Sequence, residues 1–292
     1  MIQIFDVDRS LSSIGDQEEI TRIFGLDPIP LDHNYSRIIK NKKGDTIKVT
    51  GMDQHLKEYL GRIFQKKQVK KKNELFGVET TEIETLLTDS AKKLNLKGIV
   101  VDSISGLGEG VRESLIRSAR FDQMTMDLWG KYGVRIGNLL VTLRDLPLQV
   151  FLTCHIDRVE NDQGIQIEYP AIKGGQKTDG LRWFDVIVYN TVNDGRVMWQ
   201  VTKDDQRPFI RSRMNVPEWE DQDYVEPDYL PVLRAYKSAV TPLKMLVCGD
   251  SGTGKTYALQ TMEKYVQAQS KSTEGTPQSR KNNKTPAEEQ SG

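Results

Sequence analysis

The chain is poor in the residues that would place it outside the cell or in a bilayer. It has two cysteines, Cys154 and Cys248, and three histidines among 292 residues. Both cysteines fall in apolar, strand-like runs, where they read as packed thiols of a reducing, cytoplasmic compartment rather than a disulfide. An excess of one charge is also lacking. Basic and acidic residues each number 41, so the formal net charge is zero and no global field draws the chain to nucleic acid or a membrane; such binding needs a local patch. No apolar run approaches the roughly 20 residues of a membrane-spanning helix, and Asp6 interrupts the first apolar stretch too early for a signal peptide. What remains is a length suited to one large α/β domain with insertions.

Short apolar runs alternate with helical periodicity. Ile2-Gln3-Ile4-Phe5 forms a strand ending in Asp6-Val7-Asp8, and Gly98-Ile99-Val100-Val101-Asp102-Ser103 has the continuous apolar character of a buried parallel strand. Met124, Leu128, Tyr132, Ile136, Leu139, Leu140 and Leu143 fall on one helical stripe that Pro147 stops. Gln149 to His155 and Phe184 to Tyr189 are further buried strands, and Val197, Trp199 and Val201 alternate as in an antiparallel ribbon. Ile83, Leu86, Leu87, Ala91 and Leu94 predict an amphipathic helix over 79–95. Residues 12–75 carry no clear assignment, 217–242 reads as an acidic, proline-rich connector, and 269–292 as a disordered tail. The expected whole is a single domain over 1–268, with a mainly parallel sheet flanked by helices.

The densest chemistry lies near the C-terminus. Gly249-Asp250-Ser251-Gly252-Thr253-Gly254-Lys255-Thr256 fits the phosphate-binding pattern G-x-x-x-x-G-K-[ST], between the apolar run Leu243 to Cys248 and a helix over Tyr257 to Val266. Backbone N–H groups of such a loop converge on phosphate oxygens, aided by the positive end of the following helix. The pattern therefore predicts a bound nucleoside triphosphate, ATP with Mg²⁺, held by residues 249–256 and Tyr257. Lys255 would neutralise the β- and γ-phosphates and Thr256 would offer its hydroxyl to the metal. Only 36 residues follow Thr256, so the partners must lie upstream. Asp102, at a strand end, is the expected metal carboxylate. Asp8 is a candidate for orienting the attacking water, with a strand-terminal turn as the plain alternative. His155 either senses the γ-phosphate or is an ordinary loop histidine.

These residues resemble the RecA-type ATPases. Ile4-Phe5-Asp6-Val7-Asp8-Arg9-Ser10-Leu11 resembles their catalytic-acid strand, with Asp8 where that family has glutamate. Ile99 to Ser103 is similar to their metal-binding strand, and Phe151 to His155 stands where they carry a polar γ-phosphate sensor. Trp129-Gly130-Lys131, Leu146-Pro147, Pro170 to Gly175, Phe184-Asp185-Val186, Thr202-Lys203-Asp204 and Arg207 resemble in particular the short RecA-like ATPases of bacteriophages, linked to single-strand annealing and recombination. The resemblance implies a RecA-like P-loop fold with a terminal antiparallel ribbon, ATP hydrolysis and single-stranded DNA as partner. It also implies a circular permutation, because the phosphate loop comes last instead of first; a truncated second domain, or a strand completing a neighbouring chain, are the alternatives. DNA-facing loops are expected at Ser105 to Arg120 (Arg112, Arg117, Arg120) and Ile156 to Thr178 (Arg158, Lys173, Lys177). In a ring or filament, Lys203, Arg207, Arg211 or Arg213 would reach a neighbour's phosphate. A nucleotide-gated interaction module with little hydrolysis, and a P-loop phosphotransferase, are the rival functions.

Overall fold

Each continuous apolar run named above becomes a strand of one sheet. The computed structural model describes residues 1–8, 11, 17–40, 44–72, 79–173, 180–236 and 242–259. In chain order its elements are β1 (Ile2–Asp6), α1 (Gln17–Phe24), β2 (Ile29–Pro30), β3 (Ser36–Lys40), β4 (Thr46–Thr50), α2 (Met52–Ile63), β5 (Phe64–Lys72), β6 (Glu79–Leu87), α3 (Asp89–Lys93), β7 (Gly98–Asp102), α4 (Ile104–Ala119) and α5 (Met126–Arg144). There follow β8 (Gln149–Cys154), β9 (Ile156–Glu160), β10 (Gln166–Pro170), β11 (Val186–Asn193), β12 (Arg196–Gln200), β13 (Arg211–Ser212), β14 (Tyr224–Val225), α6 (Tyr229–Tyr236), β15 (Lys244–Cys248) and α7 (Lys255–Ala258).

The fold is α/β, with a mostly parallel mixed sheet flanked by helices. Strands run in the order β14-β12-β11-β15-β8-β7-β1-β2, with β13 beside β11. From β11 to β2 all pairings are parallel, whereas β12, β13 and β14 add antiparallel pairs at the other edge. The late strand β15 lies inside the sheet, where Lys244 to Cys248 pair with Val150 to Cys154 on one side and Met245 to Cys248 with Val186 to Tyr189 on the other.

Strand alternation divides the core between the two faces. Leu246, Cys248, Val150, Leu152, Ile99, Val101 and Phe5 pack with α2, α4 and α5. Met245, Val247, Phe151, Val100, Ile2, Ile4, Val186 and Val188 pack with α1, α6 and Ala258. Both faces being covered is why these strands read as unbroken apolar runs. The Asp53 carboxylate, fully buried, takes a bidentate ion pair from Arg135 that ties α2 to α5.

Several expectations are corrected. Residues 79–95 form β6 and the short α3, not one helix; Ile83, Leu86 and Leu87 suit either period, and pairing of β6 with β5 along its whole length decides for the strand. Ser105 to Arg120 is helix α4, not a loop: the Ser103 hydroxyl caps it by accepting from Gly106 N, and Leu107, Val111 and Leu115 make its buried stripe. Its glycines disguised it, yet they serve packing, since a Cβ on Gly108 would sit 2.7 Å from the Tyr132 hydroxyl and one on Gly110 2.7 Å from Met52 Cε. The expected loop over 156–178 is the β9–β10 hairpin as far as residue 170. The connector contains α6, whose Tyr229, Val232 and Leu233 are core residues. Among the described residues of 12–75 lie α1, β2, the β3–β4 hairpin, α2 and β5. The expected tail, Arg9, Lys177 and most of the helix after Thr256 lie outside the described residues. Among the described residues no helix is long and apolar enough to cross a membrane.

Candidate active site

Parallel strands release their C-terminal ends at one edge of a sheet, the usual place for a site in open α/β folds. Here β1, β7, β8 and β15 deliver Asp8, Asp102, His155 and the 249–254 loop to that edge. Gly252 and Gly254 have φ of 79° and 84°, a left-handed backbone that glycine adopts without strain, and they turn the chain into α7. Gly249 N donates to Cys154 O at 3.1 Å and Asn190 Nδ2 to Thr253 O at 2.7 Å, which seats the loop on β8 and β11.

Lys255 is buried beneath this loop. Its Nζ donates to Gly249 O at 2.9 Å and Asp250 O at 2.6 Å and lies 3.4 Å from His155 Nδ1. Burial pushes the ammonium below the ordinary lysine range, opposed by Asp102, both cysteines and Asp250. Thr256 Oγ1 donates to Asp102 Oδ2 at 2.9 Å, and Thr153 Oγ1 donates to the other Asp102 oxygen. The Asp102 and Lys255–Thr256 segments, 153 residues apart for Asp102 and Lys255, thus meet in one chain. No protein-family model, curated protein or solved structure matches this chain.

Asp8 completes the edge. Its Oδ2 accepts from Ser103 Oγ at 2.5 Å and lies 3.5 Å from His155 Nε2. Burial alone would raise its pKa, but hydrogen bonds from His155 and Ser103 and the charges of His155 and Lys255 hold it below the ordinary aspartate range. The carboxylate also rests on the first turn of α4, where a methyl group on Gly106 would overlap Asp8 Oδ1. Ser105 Oγ accepts from His155 N at 3.0 Å and so fixes the histidine backbone.

A second set of groups joins the loop to the β9–β10 hairpin. Arg158, Arg207 and Asp250 are expected above to face DNA, a neighbour's phosphate and the nucleotide; here they bond to one another or to Glu168 within the chain, while Glu168 carries no expectation. Arg158 donates to Asp250 Oδ2 at 2.5 Å and, through Nε, to Glu168 Oε1 at 3.0 Å. Glu168 Oε2 accepts from Arg207 Nε at 2.6 Å, and the Arg207 guanidinium lies 4.2 Å from the Tyr189 ring centre. Burial, with Glu168 and Asp250 close by, pushes the Tyr189 hydroxyl up to about 12, so it stays a donor to Asp250 at 3.3 Å.

The other expected cations are dispersed. Arg112 pairs with Glu109 and Lys173 with Asp157 at 2.6 Å. Arg117 and Arg120 sit at the far end of α4. Arg211 donates to Leu181 O and Phe184 O, and Arg213 to Arg182 O, while Lys203 is exposed. Of Tyr257 only the backbone, in α7, is described. Among the described residues no cluster of three or more His, Cys, Asp or Glu is arranged to hold a metal. The oxygens of Thr256 and Asp102 form a smaller hard donor set, the kind that leaves most of a Mg²⁺ shell to phosphate and water.

Proposed function

We propose that this chain is a Mg²⁺-dependent ATPase of RecA-like type, circularly permuted, that works on single-stranded DNA. The observation that carries the reading is the 2.9 Å contact of Thr256 with Asp102 beside the buried Lys255, because it joins the loop pattern to a strand-end carboxylate. ATP phosphates would lie in the 249–254 loop, with the Lys255 ammonium turning from the loop carbonyls to their oxygens. Mg²⁺, when bound, supplies neutralisation and alignment of the phosphate oxygens, and Thr256 with Asp102 would hold it. Asp8 orients the attacking water and accepts its proton's hydrogen bond. His155, 3.5 Å from Asp8 Oδ2 and 3.4 Å from Lys255 Nζ, links the two and is suited to register loss of the γ-phosphate. The permutation is supported by the position of β15, which stands beside β8 with β7 and β1 following outward.

One observation favours the gated module as a second reading. Asp8 is a short carboxylate already engaged by Ser103 and His155, a poor arrangement for fast water activation. Asp8→Asn is expected to keep nucleotide binding and lose turnover by about 100-fold; turnover surviving in Asp8→Asn removes Asp8 from the mechanism. The same variant tests the electrostatics. A depressed carboxylate pKa stabilises the fold above the unfolded-state value, and that contribution is lost as pH falls through the folded-state value. The stability gap between wild type and Asp8→Asn therefore closes on acidification, as pH-dependent denaturant melts will show.

Gly106→Ala separates geometry from stability. The added methyl displaces Asp8, and a misplacement near 1 Å costs about 100-fold in rate. Alanine is about 1 kcal/mol the better helix former, which offsets part of the cost of disturbing the Asp8 contacts with Ser103 and His155, so turnover is expected to fall far more than the melting temperature. Unchanged turnover would place the reacting water elsewhere.

A further inference from the structure

We propose that the cleft between the β3–β4 hairpin and the C-terminal end of α4 is the surface that grips the phosphate backbone of a single nucleic-acid strand. The proposal rests on the reading above for its partner, but on separate residues for its evidence. The cleft, about 490 Å³, is lined by His33, Lys48, Arg117 and Arg120 with the hydroxyls of Ser36, Thr50, Ser114 and Ser118. No aspartate or glutamate lines it, and among the described residues none of its three cations has an ion pair. A cleft furnished with cations and hydroxyl donors and free of carboxylates is complementary to phosphodiesters.

Strand register shows which hairpin face takes part. Ile38 pairs with Lys48, Ser36 with Thr50 and Lys40 with Thr46, so these six side chains share one face, the one that Ser36, Lys48 and Thr50 turn to the cleft. On the opposite face Arg37 is held by Glu58 at 2.8 Å, a structural pairing with α2. Residues 36–50 contain five cations (Arg37, Lys40, Lys42, Lys43, Lys48) against the single acid Asp45. The lysine-rich β5–β6 hairpin is a weaker candidate despite its five lysines, because residues 64–87 also contain Glu74, Glu79, Glu82 and Glu84, with Lys67 opposite Glu84 in the ladder.

A single strand is favoured over a duplex by exposed apolar faces next to the cations. Ile38 is 69% exposed beside Lys48, and Phe121, next after Arg120, is 52% exposed. Unpaired bases can lie on such surfaces, whereas a duplex keeps its base faces stacked inside.

The test is fluorescence anisotropy of a labelled oligothymidine with the full chain over a range of salt. The variant K48E/R117E/R120E is compared with wild type and with K66E/K67E/K70E on the other hairpin. Losing three phosphate contacts should weaken binding at least tenfold and lower the slope of log affinity against log salt by about 2, while ATP turnover without DNA stays at the wild-type level. The K66E/K67E/K70E chain should bind nearly as wild type. Equal weakening in both triple variants would mean diffuse attraction and overturn the proposal, as would wild-type binding by K48E/R117E/R120E. Tighter competition by a duplex than by an unlabelled single strand would overturn the choice of ligand. A wild-type chain that hydrolyses ATP but binds no oligothymidine sinks this inference and leaves the ATPase reading standing. Binding that depends on the cleft in a chain without turnover does the reverse.

Discussion

Lys255→Ala is expected to lower ATP turnover by at least about 100-fold, with and without single-stranded DNA, in a chain that still folds. The ammonium is buried under the loop with three polar neighbours, Gly249 O, Asp250 O and His155 Nδ1. In a site withdrawn from water a positioned charge facing developing phosphate charge is worth far more than the same charge in solution, and removal of one such group typically costs 10²–10³ in rate. Two carbonyls lose a donor in the variant, one of them on the buried Gly249, so the cost in stability is about 1–3 kcal/mol. Phosphate release measured beside a thermal melt separates the two effects. Turnover that rises with DNA and disappears in Lys255→Ala supports the whole reading. Wild-type turnover retained by the variant would defeat it. Nucleotide binding without turnover in the wild type would favour the gated module, and Asp8→Glu is then the change that should restore hydrolysis.

Val247→Asp is expected to unfold the chain. Val247 is fully buried on β15, with Val188 opposite on one neighbour and Thr153 on the other. An unpaired carboxylate there faces Met245, Phe151 and Tyr229 in an apolar layer, at a cost of several kcal/mol. Total stabilities run to about 5–15 kcal/mol, so one such change consumes much of the margin. Val192→Asp, on the exposed end of β11, is the matched control and should melt within about 0.5 kcal/mol of wild type. The comparison also tests whether the late strand is integral to the fold. A cooperative melt retained by Val247→Asp would mean that the rest of the chain forms a domain without β15.

The legible part of this molecule was the part with local signals. β1, β7, β8, β11 and β15 announce themselves because burial on both faces makes most of their residues apolar, and Asp8, Asp102 and His155 stand at their ends. What stayed hidden depends on partners distant in the chain. Helix α4 was obscured by Gly106, Gly108 and Gly110, whose need is set by Asp8, Tyr132 and Met52. β6 reads as a helix because its pattern fits either period until β5 is laid beside it. The Arg158–Asp250 pair spans 92 residues, and nothing around either residue marks it. Asn190 gave one faint sign, a buried amide directly after the apolar run Val186 to Tyr189, and it holds Thr253 O.

The position of β15 bears on how the chain is made. Eight strands of the sheet leave the ribosome before it, and about fifty residues separate β11 from β15, roughly 3–10 s of synthesis. During that interval β8 and β11, destined to flank it, each present an unpaired edge with apolar side chains on both faces, the most adhesive surface a nascent sheet can offer. The same slot that receives β15 from its own chain would receive β15 from another copy, so crowded polysomes are where exchanged dimers of this protein would arise.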